Sequence, residues 1–249
     1  QTEIKEGCKE VWLTSTDNGC YGLDIGTDLP TLVNAVSEIQ EDFMIRVGMM
    51  NPMYMPRIKQ KLIESYDNDK VFKFLHLPVQ SGSDKVLNDM KRGHTSETFR
   101  EIVKRTKDRF DDFTISTDII VGFPSETEED FQKTLTLLDE TKPDVVNLSK
   151  YSARPGTDAA ELKQIDAAEI KRRSKIIFEQ INKISIESNK KWIGWKGKVL
   201  FDENTEEGIK GRNYAYKPIS VQEKVNIGDS HIVEITDATR KRLIGKIAS

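Results

Sequence analysis

Across the first two-thirds of the chain, short runs of β-branched and aromatic residues alternate with stretches whose apolar positions recur every three or four residues. The runs cover residues 10–14 (EVWLT), 43–48 (FMIRVG), 71–77 (VFKFLHL), 113–122 (FTISTDIIVG) and 145–151 (VVNLSKY). Helix-like stretches lie near 29–40, 55–66, 83–90, 96–108 and 127–140. Strand–helix alternation at this spacing predicts βαβ units, a parallel sheet and an α/β fold class. Periodicity alone leaves open whether the sheet is doubly wound or part of a barrel.

Start signals mark two of the helices. Ser125 stands three residues before Glu128, a capping-box spacing. Glu128, Glu129 and Asp130 then load the first turn with negative charge, which suits the positive end of the helix dipole. Asp166 and Glu169 form a second box-like start. They open a helix running to about Ser188, with Ile170, Ile177, Ile181 and Ile184 on one face.

After Lys191 the period changes to short β-type pieces at 197–201, 208–216, 219–221, 231–235 and 243–247. Gly208, Gly211, Pro218 and the pair Gly228-Asp229 punctuate them. Short strands at this density predict a small antiparallel barrel. Residues 1–189 and 190–249 therefore form the two expected domains. The opening residues 1–7 look like the end of a helix entering the first strand. A parallel sheet rarely begins there, so an upstream strand and helix are expected, and the strand edge they leave open is expected to pair with another chain as an edge-to-edge dimer.

Composition narrows the function classes. The 249 residues are 37% hydrophobic and 32% charged, enough to bury a core. No run approaches the roughly 20 apolar residues of a membrane helix, so no membrane partner is expected. The first ten residues, QTEIKEGCKE, are polar, so no secretory signal is expected. Two cysteines make no disulfide framework, which points to a reducing cytoplasm. Net charge is −3, but residues 190–249 carry 12 basic and 8 acidic side chains. A basic tail on an acidic body suits either a polyanion partner or an ordinary solvated surface.

In α/β sheets ligands bind at the carboxyl ends of the strands. All five predicted ends are polar or rich in Gly and Pro. Asp17 either caps a turn or accepts from an amine or a ribose hydroxyl. Gln80, Ser81 and Ser83 either cap the next helix or bind sugar hydroxyls or a carboxylate. Gly122, before Phe123, either makes a tight turn or lets a flat ligand approach the backbone. Asp118, inside an apolar strand, needs a partner, and His76 at a strand end is either a core histidine or a base. Arg154, ahead of Pro-Gly-Thr, either pairs a neighbour or holds a carboxylate or phosphate. Met49, Met50, Met53 and Met55 read as packing. Cys8 and Cys20 belong to no close-spaced Cys/His set, and no Gly-rich phosphate loop or nucleophile elbow is present. In the tail, Lys191, Lys198, Arg212, Arg240, Lys241 and Arg242 interleave with Trp195 and Tyr214, which suits phosphate neutralisation and base stacking as well as plain packing.

Four segments carry a resemblance: TSTDNGCYG at 14–22, HLPVQSGSDKVLNDMKRGH at 76–94, TDIIVGFPSETEEDF at 117–131 and YSARPGT at 151–157. In order and spacing they resemble the core of the radical SAM methylthiotransferases. The first is similar to the archaeal and eukaryotic subgroup that acts on threonylcarbamoyl-adenosine in tRNA. The resemblance implies a partial parallel (β/α) radical SAM barrel followed by a TRAM domain, a small OB-like RNA-binding barrel. It implies S-adenosyl-L-methionine (SAM) as cofactor, tRNA and an electron donor as partners, and methylthiolation of carbon 2 of the modified adenine beside the anticodon. By the same resemblance Asp17 contacts the SAM amino group, Gln80, Ser81 and Ser83 lie near its ribose and carboxylate, and Gly122 and Phe123 lie beside its adenine. Arg154 then ends the last barrel strand. The family's two 4Fe-4S clusters are held elsewhere, on an N-terminal domain and a CxxxCxxC loop expected upstream of Gln1. The chain alone is therefore expected to bind no metal and to be inactive. Two other readings stay open: a methylthiotransferase acting on a ribosomal protein, and a non-catalytic RNA-binding module.

Overall fold

The computed structural model describes residues 2–206 and 208–248. It opens on α1 (Thr2–Lys5) and then alternates β1 (Glu10–Leu13), α2 (Leu29–Ser37), β2 (Met44–Val47), α3 (Met55–Ser65), β3 (Phe74–His76), α4 (Asp84–Asp89), α5 (Ser96–Arg109), β4 (Thr114–Val121), α6 (Glu128–Thr141) and β5 (Val145–Lys150). Next come α7 (Asp158–Glu161) and the long α8 (Ala167–Lys190). The tail holds β6 (Lys196–Thr205), β7 (Gly208–Arg212), β8 (Pro218–Val221), β9 (Ser230–Ala238) and β10 (Leu243–Ile247). Among the described residues no helix is long and apolar enough to cross a membrane.

Strands β1 and β2 pair in parallel, as do β3, β4 and β5 in that order. A parallel bridge between Ile45 and Val71 joins the two sets. The strands thus follow one another in chain order. With right-handed crossovers this puts every connecting helix on the same face. The question left open by periodicity is settled for a barrel-type sheet, since a doubly wound sheet must reverse direction.

Each strand sorts its residues by face. Ile45, Val47, Leu75, Ile115, Ile119 and Val121 are buried in one apolar core with residues from α2, α3, α5, α6 and α8. The alternate positions, among them Arg46, His76, Ser116, Asp118 and Asn147, turn to the opposite face and line cavities. That inner face is polar, unlike a barrel filled by branched aliphatic side chains.

Several expected boundaries moved. The strand expected over 71–77 pairs only as β3, because the Lys73 N–H turns to donate to the Tyr214 carbonyl at 2.7 Å. The strand expected over 208–216 ends at Arg212. Beyond it, Asn213 Oδ1 accepts from the N–H groups of Ala215 and Lys217, and Tyr216 takes a φ of 57°. The capping box of α6 is not Ser125 with Glu128. Thr127 is the N-cap, and Asp130 completes the box. The Ser125 hydroxyl is drawn away to donate to Asp89. At α8, Asp166 does cap, accepting from Ala168 N–H at 2.8 Å, but Glu169 turns to Arg172 and Arg173 instead of completing a box.

The tail barrel closes in the order β10-β8-β7-β6-β9. It is not wholly antiparallel, since β8 and β10 run parallel. A closed ring of five strands has odd parity, so strictly alternating directions cannot close it.

Asp130 shows how the helices are tied together. It accepts from the Ser83 hydroxyl at 2.6 Å, and from the Thr127 hydroxyl at 2.7 Å and its N–H at 3.0 Å. Burial pushes its pKa up, but these bonds and the Lys85 charge outweigh it and hold the carboxyl at about 2. A depressed pKa stabilises the fold above the ordinary aspartate value and loses that contribution as pH falls through the folded one. Asp130→Asn is therefore expected to lower stability by about 2 kcal/mol at pH 7, with the deficit vanishing near pH 2. Urea melts at both pH values check this, and a pH-independent deficit would contradict it.

Candidate functional site

The carboxyl ends of β3, β4 and β5 surround a cavity of about 840 Å3. Its wall includes His76, Gln80, Arg92, Asp118, Asn147, Tyr151 and Arg154. Asp118 Oδ1 accepts from His76 Nε2 at 2.9 Å and from Asn147 Nδ2 at 2.8 Å. Burial raises the Asp118 pKa, but those two donors and the Arg92 charge bring it below the usual aspartate range. The carboxylate the sequence placed inside a strand is thus ionised, paired and turned to the cavity.

Gln80 is a strained residue on the same wall. Its φ is 74°, uncommon for a side chain with a Cβ. Two backbone bonds hold it there, Gln80 N–H to the Asp118 carbonyl at 2.8 Å and Ile120 N–H to the Gln80 carbonyl at 3.0 Å. Its Oε1 is buried and accepts no hydrogen bond from the described residues. Arg92 repeats the pattern, with its Nε buried and without a hydrogen-bond partner. Burial lowers the guanidinium pKa and the Asp118 charge opposes it. The segment is braced by His94, whose ring bonds the carbonyls of Arg92 and Val79 at 3.2 Å each. Burial lowers the His94 pKa against the two carbonyls, and in the neutral ring one nitrogen donates to only one of them. One wall thus brings together backbone strain at Gln80 and two buried polar atoms without partners among the described residues.

Arg92 and Asn147 are not among the site residues that the sequence reading names. Asn147 and Ser149 occupy alternate positions of β5 on the cavity side, so an i, i+2 polar pattern within an otherwise apolar strand was the available signal. For Arg92 the signal was a cation just past a short helix that follows a strand end.

Of the expected SAM contacts, Gln80 and Arg154 line this cavity. Ser81 and Ser83 do not. Their hydroxyls are buried in the joint between α4 and α6, where Ser83 caps α4 and donates to Asp130. Gly82 fits that joint because a Cβ there would lie 2.4 Å from the Lys133 carbonyl oxygen. Phe123 is buried with its ring edge-on to Tyr151 at 5.2 Å, behind the cavity wall. Gly122 has a φ of 83° and donates its N–H to Glu126 at 2.9 Å. Asp17 sits at the neighbouring tip of β1. It accepts from Gly19 N–H at 2.8 Å and Asn51 N–H at 3.0 Å, which ties the β1 and β2 ends together.

The candidate RNA-binding side chains fall into separate places. Lys198, Arg212 and Tyr214 line a cavity of about 480 Å3 together with residues of the first part of the chain, among them Lys9, Asp42 and Phe72. There Lys198 pairs with Asp42 at 3.7 Å, Arg212 with Asp202 at 3.4 Å, and the Tyr214 hydroxyl donates to Asp112 at 2.9 Å. Trp195 packs edge-on against buried Trp192 at 5.5 Å, within the tail's apolar cluster. Lys191 lines a different recess, beside Asp144 and Lys217. Arg240 and Lys241 line a further cavity. Arg242 lies just before β10 and is half-buried.

Among the described residues no group of three or more His, Cys, Asp or Glu side chains is placed to hold a metal ion. The Cys8 and Cys20 thiols donate to the carbonyls of Glu10 and Asp17.

Comparison with known proteins adds the following. The radical SAM superfamily profile matches residues 2–138. A protein of Archaeoglobus fulgidus named probable threonylcarbamoyladenosine tRNA methylthiotransferase is 45% identical over 99% of this chain and 58% of its own length. A Drosophila pseudoobscura pseudoobscura protein named threonylcarbamoyladenosine tRNA methylthiotransferase is 37% identical over 97% of this chain and 44% of its own length. The chain thus spans about half the length of the curated relatives it matches. Among solved structures, coproporphyrinogen III oxidase of Escherichia coli, described as a radical SAM enzyme, aligns at 22% identity with a TM-score of 0.47, covering 66% of this chain and 37% of that one.

Proposed function

Because the chain belongs to the radical SAM superfamily, we propose that it is part of an enzyme that methylthiolates carbon 2 of threonylcarbamoyladenosine in tRNA, with SAM held at the ends of β3, β4 and β5. The observation that carries this reading is the pair of buried atoms Gln80 Oε1 and Arg92 Nε, both without partners among the described residues and both on the wall of one cavity. A ligand bearing a carboxylate and hydroxyl or amine groups satisfies both. Arg92 binds the carboxylate of SAM, Gln80 takes a polar group of the ligand, and Asp118 keeps His76 and Asn147 fixed against it. When bound, SAM supplies the hydrogen-abstracting radical and the methyl group. The iron–sulfur clusters of such chemistry find no matching ligand set among the described residues.

The names of the relatives support tRNA as the substrate. The closed tail barrel is read as a TRAM domain, and its Lys198, Arg212 and Tyr214 as a phosphate- and base-contacting set.

Calorimetric titration of the chain with SAM tests the site. Arg92→Met is expected to weaken binding at least about tenfold, the scale of one charged hydrogen bond. Unchanged affinity in that variant would overturn the assignment.

A further inference from the structure

The inner face of the sheet holds a second cavity of about 350 Å3, nearer the amino ends of the strands. It shares His76 and Asn147 with the upper one, so the two meet at that polar pair. The tail closes it with Tyr216 and Pro218. Its charge is lopsided: Arg46, Arg212, Lys217, Arg240 and Lys241 line it, against the single carboxylate of Asp144. Lys217 is matched to Asp144 and Arg212 to Asp202. Arg46, Arg240 and Lys241 have no ion pair among the described residues.

Arg46 is the best placed of the three. Its guanidinium lies 4.8 Å from the Trp12 ring centroid, 5.0 Å from Phe74 and 5.2 Å from Tyr216. Its Nε is buried and unbonded. The nearby Glu10 carboxylate accepts from the Trp12 and Tyr216 donors and makes no ion pair with Arg46 among the described residues. Three rings thus hold a partly dehydrated cation, which raises its affinity for an incoming anion.

We infer that this cavity binds the carboxylate of the amino-acid substituent on the adenine being modified, with Arg46 as its recognition group. The inference rests on the substrate reading above. A substituent hanging from a base at the upper cavity passes His76 and Asn147 to reach Arg46. A backbone phosphate, fixed to ribose on both sides, does not suit a chamber floored by Tyr216 and Pro218. Arg240 and Lys241 add positive potential from the tail, so the tail barrel contributes to substrate choice.

The test uses three synthetic RNA stem-loops carrying, at one loop adenine, the N6-threonylcarbamoyl group, its uncharged primary amide, or no substituent. Fluorescence anisotropy measures their binding to the chain. The acid is expected to bind about tenfold more tightly than the amide. Arg46→Met is expected to reduce that preference below about twofold while binding of the unsubstituted loop stays the same. The double variant Arg240→Gln, Lys241→Gln is expected to reduce it at least about threefold, and it serves if Arg46→Met does not fold. Equal binding of acid and amide by the unaltered chain, or a preference that survives whichever variants fold, would overturn the inference and leave the RNA reading standing. No binding to any of the stem-loops would overturn both.

Discussion

Replacing Arg173 by Met is expected to cost about 3–5 kcal/mol, the scale for removing one partner of a buried ion pair. Arg173 and Glu126 are 6% and 1% exposed at their side chains and lie 2.9 Å apart. The guanidinium also donates to the Glu126 carbonyl at 3.0 Å and to Glu169 at 2.7 Å, and it lies 5.4 Å from the Phe131 ring centroid. Burial pushes the Glu126 pKa up, while Gly122 N–H and Arg173 oppose the shift. Without Arg173 that carboxylate has only the Gly122 donor, in the interior. The loss reaches the ligand cavity, because Glu126 fixes the Gly122 turn at the end of β4 and Phe123 behind Tyr151. Urea denaturation measures the stability. Adding Glu126→Gln to Arg173→Met is expected to recover part of it by removing the stranded charge. A single variant within about 1 kcal/mol of the parent would show that the pair carries little.

Lys217→Met is expected to have a similar cost, about 3–5 kcal/mol, and to separate the unfolding of the two domains. Lys217 Nζ in the tail donates to Asp144 Oδ1, just before β5, at 2.7 Å. It also reaches the Ser188 hydroxyl at 3.2 Å and Asn189 Oδ1 at 3.3 Å on α8. Asp144 accepts in addition from Ile115 N–H at 2.9 Å and from Ser188. One buried cation thus joins the sheet, the long helix and the tail barrel. Burial raises the Asp144 pKa, but the Lys217 charge and these donors bring it below the usual value. In the parent the pair's contribution is complete above the ordinary aspartate pKa, about 4, and fades as pH falls through the depressed folded value. In the variant the unpaired Asp144 is raised by burial, so protonation relieves it. The difference between parent and variant is therefore expected to be largest near pH 7 and to shrink toward pH 4. Thermal scans at both pH values check the size of the deficit and the number of transitions. A single cooperative transition with a pH-independent deficit would contradict this role.

The sequence placed most of the sheet. Alternation of apolar runs and helical periods located all five parallel strands within a few residues. The clusters of Gly, Pro and polar residues after them marked the rim where the upper cavity lies. Local signals failed where a side chain had a choice of partners. Ser125 has the right spacing to cap a helix, yet its hydroxyl goes to Asp89 and Thr127 caps instead. Ser83 does cap α4, one of the two roles its position allowed, but the partners of its hydroxyl and of Ser81, Asp130 and Thr134 on α6, lie far along the chain.

Face alternation and the basic character of the tail followed from the chain itself, because they depend on residues one to four positions apart or on composition. Strand order did not, since the periodicity fits a barrel and a doubly wound sheet alike, and neither did the matching of cations. Lys217 with Asp144, and Arg46 with Tyr216, join positions far apart in sequence. Arg92 became a site residue only once its Nε and the Gln80 Oε1 were seen to share a wall. Such meetings depend on how the helices and the tail barrel pack across the sheet, and no local period encodes that packing.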